Sequence, residues 1–484
     1  MNTPHLPIEQ LQAWALLNSI SFAGTNVQRI PQTSKGFGLI SNKDRCGPAT
    51  ADDESSRTLL TVPHDLVLNP AAVKEYAKED QRFRDLLVAV LPNKPRWTVL
   101  LFLLVQTALA RRGDSSAFGV SNPWGQYIKF LPKQSDLLVP TLWNESERDL
   151  LKGTSLESAL EAKIRTLRRE FDKVREVSSG IPCWDELLWE HEMVEFRDWI
   201  FLDAVYRSRA LGLPRSGESM VPCLDMVNHA EPANAYYDEN GQDEVVLQQF
   251  TGVDICEGEE VTINYGADKS AAEMLYTYGF LDTSCLPPKE TFDFPLDLAF
   301  FECPLTRAKL AVFGEQQPKI HLEYDRHAGE ITPDLVHWEC PFAYLMCLNE
   351  EDGLKFVTLQ ETDGKRELRV QFQGEDVTER AKDFKTLILD HDHRQIFKYR
   401  VVMAVEHSLS VELEKVNARK QSWSHGPAPG VRLECFNSAR VLTEMQRQIL
   451  EAVREKLEAE AMELGNDHAV RKLLEELQGA DESE

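Results

Sequence analysis

Two strand-rich segments, one within residues 1–75 and the other within 206–286, stand on either side of a long run of helical periodicity, and this interruption constrains the fold more than any single motif. If the two segments belong to one β-rich domain, residues 76–205 are a helical insertion in it. Within the insertion, Leu156, Leu160, Ile164, Leu167, Phe171, Val174 and Val177 recur in steps of three and four and predict an amphipathic helix. Trp97 to Ala110 is apolar nearly all round and reads as a buried helix; it is shorter than a membrane span requires. A further helix from about Asp185 to Leu211 carries Arg207-Ser208-Arg209 out of the insertion.

The flanking segments have their own punctuation. Ile8 to Ile20 fits a short amphipathic helix, Ser34 to Ile40 a glycine turn entering a strand, and Thr58 to Pro63 a strand pairing back across a solvated polar loop at 42–57. Val245 to Phe250 and Glu260 to Tyr265 have strand propensity, with a turn at Glu257-Gly258 between them. After Pro287-Pro288 the pattern becomes mainly helical with strand-like runs such as Leu368 to Phe372, so 287–478 reads as a separate, mostly helical domain. Leu450, Val453, Leu457, Ala461 and Leu464 mark a late helix, and 479–484 reads as a disordered acidic tail.

Composition narrows the function classes. A chain of 484 residues exceeds one ordinary core, and 42% hydrophobic content suffices for two or three. The formal net charge of −26 argues against binding nucleic acid through phosphates and would suit a basic polypeptide partner. The nine cysteines form no CxxC pair and no metal-like cluster with histidine, which predicts reduced thiols and a cytosolic or nuclear address. No signal peptide or membrane span is read, and a monomer without bound metal is expected.

Arg209 to Phe280 holds a dense polar constellation on an apolar background: Pro222-Cys223-Leu224-Asp225-Met226-Val227-Asn228-His229, then Glu260-Val261-Thr262-Ile263-Asn264-Tyr265-Gly266, then Leu275-Tyr276-Thr277-Tyr278-Gly279-Phe280. Each piece has an ordinary reading by itself. Asn228-His229 could be a turn, Tyr265 and Tyr278 half-buried core rings, Arg209 half of an ion pair, and Gly36-Phe37-Gly38 a turn into a strand. Their order along the chain is what carries weight.

Together with Lys35-Gly36-Phe37-Gly38-Leu39, and with Trp124, Tyr127 and Leu131-Pro132 in the insertion, these residues resemble the SET-domain protein methyltransferases of the Rubisco large-subunit methyltransferase type. The resemblance covers most of the chain and departs from the family in the polar loop at 42–57. It implies an α+β fold: a knotted β-rich SET domain split by the helical insertion, then a mostly helical substrate-binding domain. It implies S-adenosylmethionine as cofactor, touched by the main chain of Lys35, Gly36 and Phe37, with Arg209 facing its carboxylate. Asn228 and His229 would hold its amino-acid and adenine portions, Tyr265 and Tyr278 would serve both cofactor binding and catalysis, and Ser208 and Asp225 would lie near the substrate lysine.

The implied activity is transfer of a methyl group to a lysine of a non-histone protein. Two alternatives stay open: a histidine acceptor, and a catalytically silent module that binds protein. Methyl transfer from a sulfonium is an in-line displacement, so alignment is the main catalytic task. Deprotonating a lysine of pKa about 10.4 at pH 7 costs about 4–5 kcal/mol, which an apolar channel lowers. A tyrosine of ordinary pKa about 10 is a poor base, so Tyr265 is expected chiefly to orient, with proton acceptance an open possibility.

Overall fold

The computed structural model describes residues 4–30, 36–47, 54–91, 94–112, 120–190, 193–281, 289–301, 303–314, 316–325, 331–360, 366–423 and 426–481. They divide into one unit of 1–143, 159–267 and 274–286, and a second of 144–158, 268–273 and 287–484.

In the first unit, strands distant in sequence share sheets. One sheet runs Thr25–Arg29, Phe37–Ser41, Glu260–Ile263, Asn228–His229; a second runs Ser21–Phe22, Thr58–Pro63, Glu244–Gln249, Ala235–Glu239. Glu260 and Val261 lie opposite Ile40 and Leu39 in antiparallel register, whereas Thr262 and Ile263 pair in parallel with Asn228 and His229. Leu39, Val261 and Ile263 are buried in one core with the insertion's apolar residues. The insertion thus supplies the surface on which the short strands are laid.

That surface is built by helices Pro70–Glu79, Gln81–Val90, Pro95–Arg112, Leu156–Ser179, Pro182–Leu188 and Phe196–Arg209. Asn69 and Asp80 cap the first two by accepting from the amides of Ala72 and Phe83, each at 2.9 Å. Trp97 to Leu109 is buried without interruption, as an all-round apolar helix requires.

Three local expectations are corrected. The helix expected from Asp185 to Leu211 is two helices, because Arg111 donates to the Met193 carbonyl and to both Asp198 oxygens, and Asp198 accepts from the Glu195 amide to start a new helix. The loop at 42–57 is not wholly solvated. Arg45 and Arg57 are buried; Arg57 ends a helical turn, Glu54–Arg57, and donates to the Tyr236 hydroxyl at 3.1 Å. The expected disordered tail is helical through Asp481, within His468–Asp481, an amphipathic run in which Val470 is buried; residues 482–484 lie outside the described residues.

In the second unit, three long helices, Arg394–Ser422, Leu433–Gly465 and His468–Asp481, accompany more strand than its sequence suggests. Two three-stranded antiparallel sheets comprise Lys289–Pro295, Lys319–Asp325, Val336–Glu339 and Leu354–Gln360, Arg366–Phe372, Glu375–Asp376. Glu147, almost fully buried, binds the Arg432 main-chain amide at 3.0 Å and its guanidinium at 2.8 and 2.9 Å, tying segment 144–158 to the start of the Leu433–Gly465 helix. Among the described residues no cysteine is paired, no group of side chains could hold a metal ion, and no helix is long and apolar enough to cross a membrane.

Candidate active site

The parallel pairing of Asn228–His229 with Glu260–Ile263 sets the site's frame. Asn228 donates through Nδ2 to the Phe37 carbonyl at 3.0 Å and to Glu260 Oε1 at 2.7 Å, so one amide joins the first strand-rich segment to the second. Its Oδ1 accepts nothing among the described residues. Gly38 makes the approach feasible: a Cβ there would stand 2.7 Å from Asn228 Nδ2 and 2.8 Å from both Glu260 Oε1 and Ile30 Cδ1. Gly36 closes the adjoining hairpin, its carbonyl accepting from the Ile30 amide at 2.9 Å.

His229 accepts through Nδ1 from the Tyr265 amide at 3.1 Å, which leaves Nε2 as the ring's protonated nitrogen in the neutral form. Tyr265 donates its hydroxyl to the Val227 carbonyl at 2.7 Å, and Tyr278 donates to the Tyr265 carbonyl at 3.1 Å. The two rings lie 4.5 Å apart between centroids, with Phe280 at 6.5 Å from Tyr265 and 6.2 Å from Tyr278, and His229 at 5.4 Å from Tyr265. Gly279 permits the turn between the last two aromatics: its φ is +84°, and a Cβ there would lie 2.6 Å from the Leu138 carbonyl carbon. Burial pushes the Tyr278 phenol up to about 12 and the Tyr265 phenol further still, so both are neutral at ordinary pH.

Two buried carboxylates flank the end of helix Phe196–Arg209. Asp225 is closed off from solvent; Tyr127 donates to its Oδ1, while Arg209 Nη1 donates to its Oδ2 at 3.2 Å and its carbonyl at 2.9 Å. The Tyr127 hydroxyl also accepts from the Cys223 amide at 2.9 Å, bracing a residue held at φ +69°. Arg209 Nε is buried and has no acceptor among the described residues. Burial raises the Asp225 pKa, and Arg209 only partly offsets it.

Asp203, on the same helix, is gripped by Arg96, by Lys163 at 2.9 Å and by Arg207 Nε at 2.9 Å. Burial pushes its pKa up, but Arg207, Lys163 and Arg96 together bring it below the ordinary value. Arg207 then reaches the Tyr276 carbonyl and, at 3.0 Å, the Thr141 hydroxyl, with its guanidinium carbon 4.5 Å above the Tyr276 ring.

The fold therefore brings Phe37, Asn228, His229, Tyr265 and Tyr278 together, with Gly36 at the neighbouring hairpin; Lys35 lies outside the described residues. Ser208 Oγ donates to the Ala204 carbonyl, 2.8 Å away in its own helix. The Asp225 carboxylate is likewise committed, to Tyr127 and Arg209. Asp203 does not figure in the sequence motifs, and Tyr127 and Glu260 figure there without a polar role in the site. Glu260 had a readable signal, a carboxylate opening an alternating strand, but nothing local marks Tyr127 or Asp203, whose partners lie far away in sequence.

No family model matches the chain. Among curated proteins it is 27% identical over 296 residues to SET domain-containing protein 8 of Schizosaccharomyces pombe, covering 59% of this chain and 62% of that one. It is 24% identical over 368 residues to the ribulose-1,5 bisphosphate carboxylase/oxygenase large subunit N-methyltransferase of Nicotiana tabacum, covering 72% and 65%. It is 26% identical over 308 residues to the [fructose-bisphosphate aldolase]-lysine N-methyltransferase of Arabidopsis thaliana, covering 60% and 56%. The matched region is thus under two thirds of each relative. Among solved structures, Rubisco LSMT bound to AdoMet superposes with a TM-score of 0.65 at 20% identity over 97% of this chain and 96% of that one. The SET domain of LSMT bound to methyllysine and AdoHcy gives 0.66 at 19% over 97% and 96%. The fold is that of the Rubisco LSMT structures, and the resemblance read from the sequence holds.

Proposed function

We propose that this chain is an S-adenosylmethionine-dependent protein-lysine N-methyltransferase acting on a non-histone protein. The observation that carries the reading is the convergence of Asn228, His229, Tyr265 and Tyr278 beside the Phe37 carbonyl. Relatives named as an N-methyltransferase and a lysine N-methyltransferase, and neighbours of the same fold bound to AdoMet or methyllysine, support it.

The residues fit the cofactor's chemistry. An amino-acid zwitterion needs an acceptor for its ammonium and a donor for its carboxylate; Asn228 Oδ1 and the buried Arg209 Nε each lack a partner among the described residues. When bound, S-adenosylmethionine supplies a methyl carbon on a sulfonium, an electrophile that asks no covalent step of the protein.

What remains is done by the side chains. The lysine must arrive without its proton, at a cost of about 4–5 kcal/mol at pH 7 that an aromatic-walled channel reduces. Tyr265 and Tyr278 give their hydrogens to main-chain carbonyls, which fixes their oxygens; a phenol that donates keeps lone pairs to accept an amine N–H. Their raised pKa values make them orienting groups rather than phenolate bases. The net charge of −26 favours a basic polypeptide as acceptor.

Incubation with methyl-labelled cofactor and cell extract tests the reading. A labelled protein band is expected, weakened by Tyr265→Phe, with methyllysine in its fragment spectra. Absence of labelling across extracts, or methylhistidine in the product, would overturn the lysine assignment.

A further inference from the structure

Tyr127 sits in the helical insertion, fully buried, with its ring packed against Trp14 and Trp124. Its hydroxyl nevertheless makes two polar contacts with the segment that carries Asn228: it donates to Asp225 Oδ1 and accepts from the Cys223 amide at 2.9 Å. The carboxylate it engages grips Arg209 through its other oxygen at 3.2 Å, and the same residue's carbonyl binds the same guanidinium nitrogen at 2.9 Å. A carboxylate closed off from water costs free energy unless its lone pairs are satisfied, and here a phenol and one guanidinium are the side chains that satisfy it.

We propose that Tyr127 is a positioning residue for the cofactor's carboxylate: by holding Asp225 from the insertion side, it sets where the Arg209 guanidinium stands. The proposal rests on the reading of this chain as an S-adenosylmethionine enzyme. Removing the hydroxyl leaves the ring's packing against Trp14 and Trp124 in place but takes a donor from Asp225, which then holds Arg209 less firmly.

The groups facing Asp225 are Arg209, Tyr127, Cys223 and Tyr265, and burial pushes the two phenols and the thiol upward, away from the acid side of neutrality. Acid weakening of cofactor affinity through this cluster therefore reports protonation of Asp225. Loss of the Tyr127 donor makes that protonation easier, which moves the acid limb to higher pH.

Calorimetric titration of the full chain with S-adenosylmethionine, across pH, is the test. Tyr127→Phe is expected to weaken affinity about tenfold and to shift the acid limb upward. Asp225→Asn should weaken binding and abolish that limb, and adding Tyr127→Phe to Asp225→Asn should change little further. If the unaltered chain does not bind S-adenosylmethionine, the functional reading falls and the proposal with it. If the chain binds and Arg209→Lys weakens it, but Tyr127→Phe binds as tightly as the parent or its loss adds fully to that of Asp225→Asn, the positioning role alone is overturned.

Discussion

Asp203 and Asp225 are both buried carboxylates held by arginines from the end of one helix, yet burial prevails at Asp225 and is overcome at Asp203. Arg207 and Arg209 are two positions apart, about 200° around an α-helix, so the same helix end can serve two carboxylates on different sides. Asp203 has three cations around it, enough to keep it ionised below its ordinary range. Asp225 has one cation and a phenol, and its pKa rises. The first arrangement is a staple that holds Arg207 on the Tyr276 carbonyl, two residues before Tyr278. The second holds an arginine whose Nε is still without an acceptor, which suits a ligand rather than a staple.

The largest effect should come from breaking the staple. Asp203→Asn leaves Arg96, Lys163 and Arg207 buried with Glu170 as the remaining carboxylate of the cluster, and should cost about 3–5 kcal/mol in urea unfolding. Next, Arg207→Lys keeps the charge but cannot reach Asp203, Tyr276 and Thr141 together; kcat should fall about 10–100-fold while cofactor affinity holds. Arg209→Lys should reverse that pattern, weakening cofactor binding more than kcat. Equal loss of both quantities in either variant would mean that the two arginines do not divide the work.

Smaller, and opposite in sign, are the effects on stability against pH. Asp203, with its folded pKa lowered, contributes stability above the ordinary value of 3.8 that is lost as pH falls through its folded pKa. Asp225, with its folded pKa raised, contributes the reverse: stability declines as pH rises from 3.8 through its folded value. Asp225→Asn should therefore become less destabilising relative to the parent as pH rises through that window, while Asp203→Asn should become more destabilising as pH rises through its own, lower window. Thermal unfolding of both variants from acid to neutral pH measures the two trends, and parallel curves would erase the distinction.

Periodicity made the scaffold legible. The steps from Leu156 to Val177, the uncharged run after Trp97 and the strand at Thr58 announced elements that the structure contains, because one apolar face or an all-round apolar surface leaves a local trace. The break near 189–195 left no such trace; it depends on Arg111, which arrives from another helix. In the site, Asn228, His229, Tyr265 and Tyr278 were readable as a group through their order and the resemblance. Ser208 and Asp225 were named for the lysine pocket, but a sequence does not tell where a hydroxyl or carboxylate spends its hydrogen bonds. Tyr127 shows the same limit from the other side: its ring matched a core residue, and its hydroxyl found a partner 98 positions away.

The Asn228 amide, which closes onto the Phe37 carbonyl across 191 positions, also sets a schedule for the growing polypeptide. Phe37–Ser41 can pair at once with Thr25–Arg29 on one side, but its other edge waits for Glu260–Ile263. At synthesis rates of about 5–20 residues per second, that edge stays open on the order of ten to forty seconds. An unsatisfied strand edge is where chains associate wrongly. The vulnerable period of this protein is therefore set by the stretch between Ser41 and Glu260, most of which is the insertion, and shortening the insertion would change how safely it is made before it changed anything in the finished site.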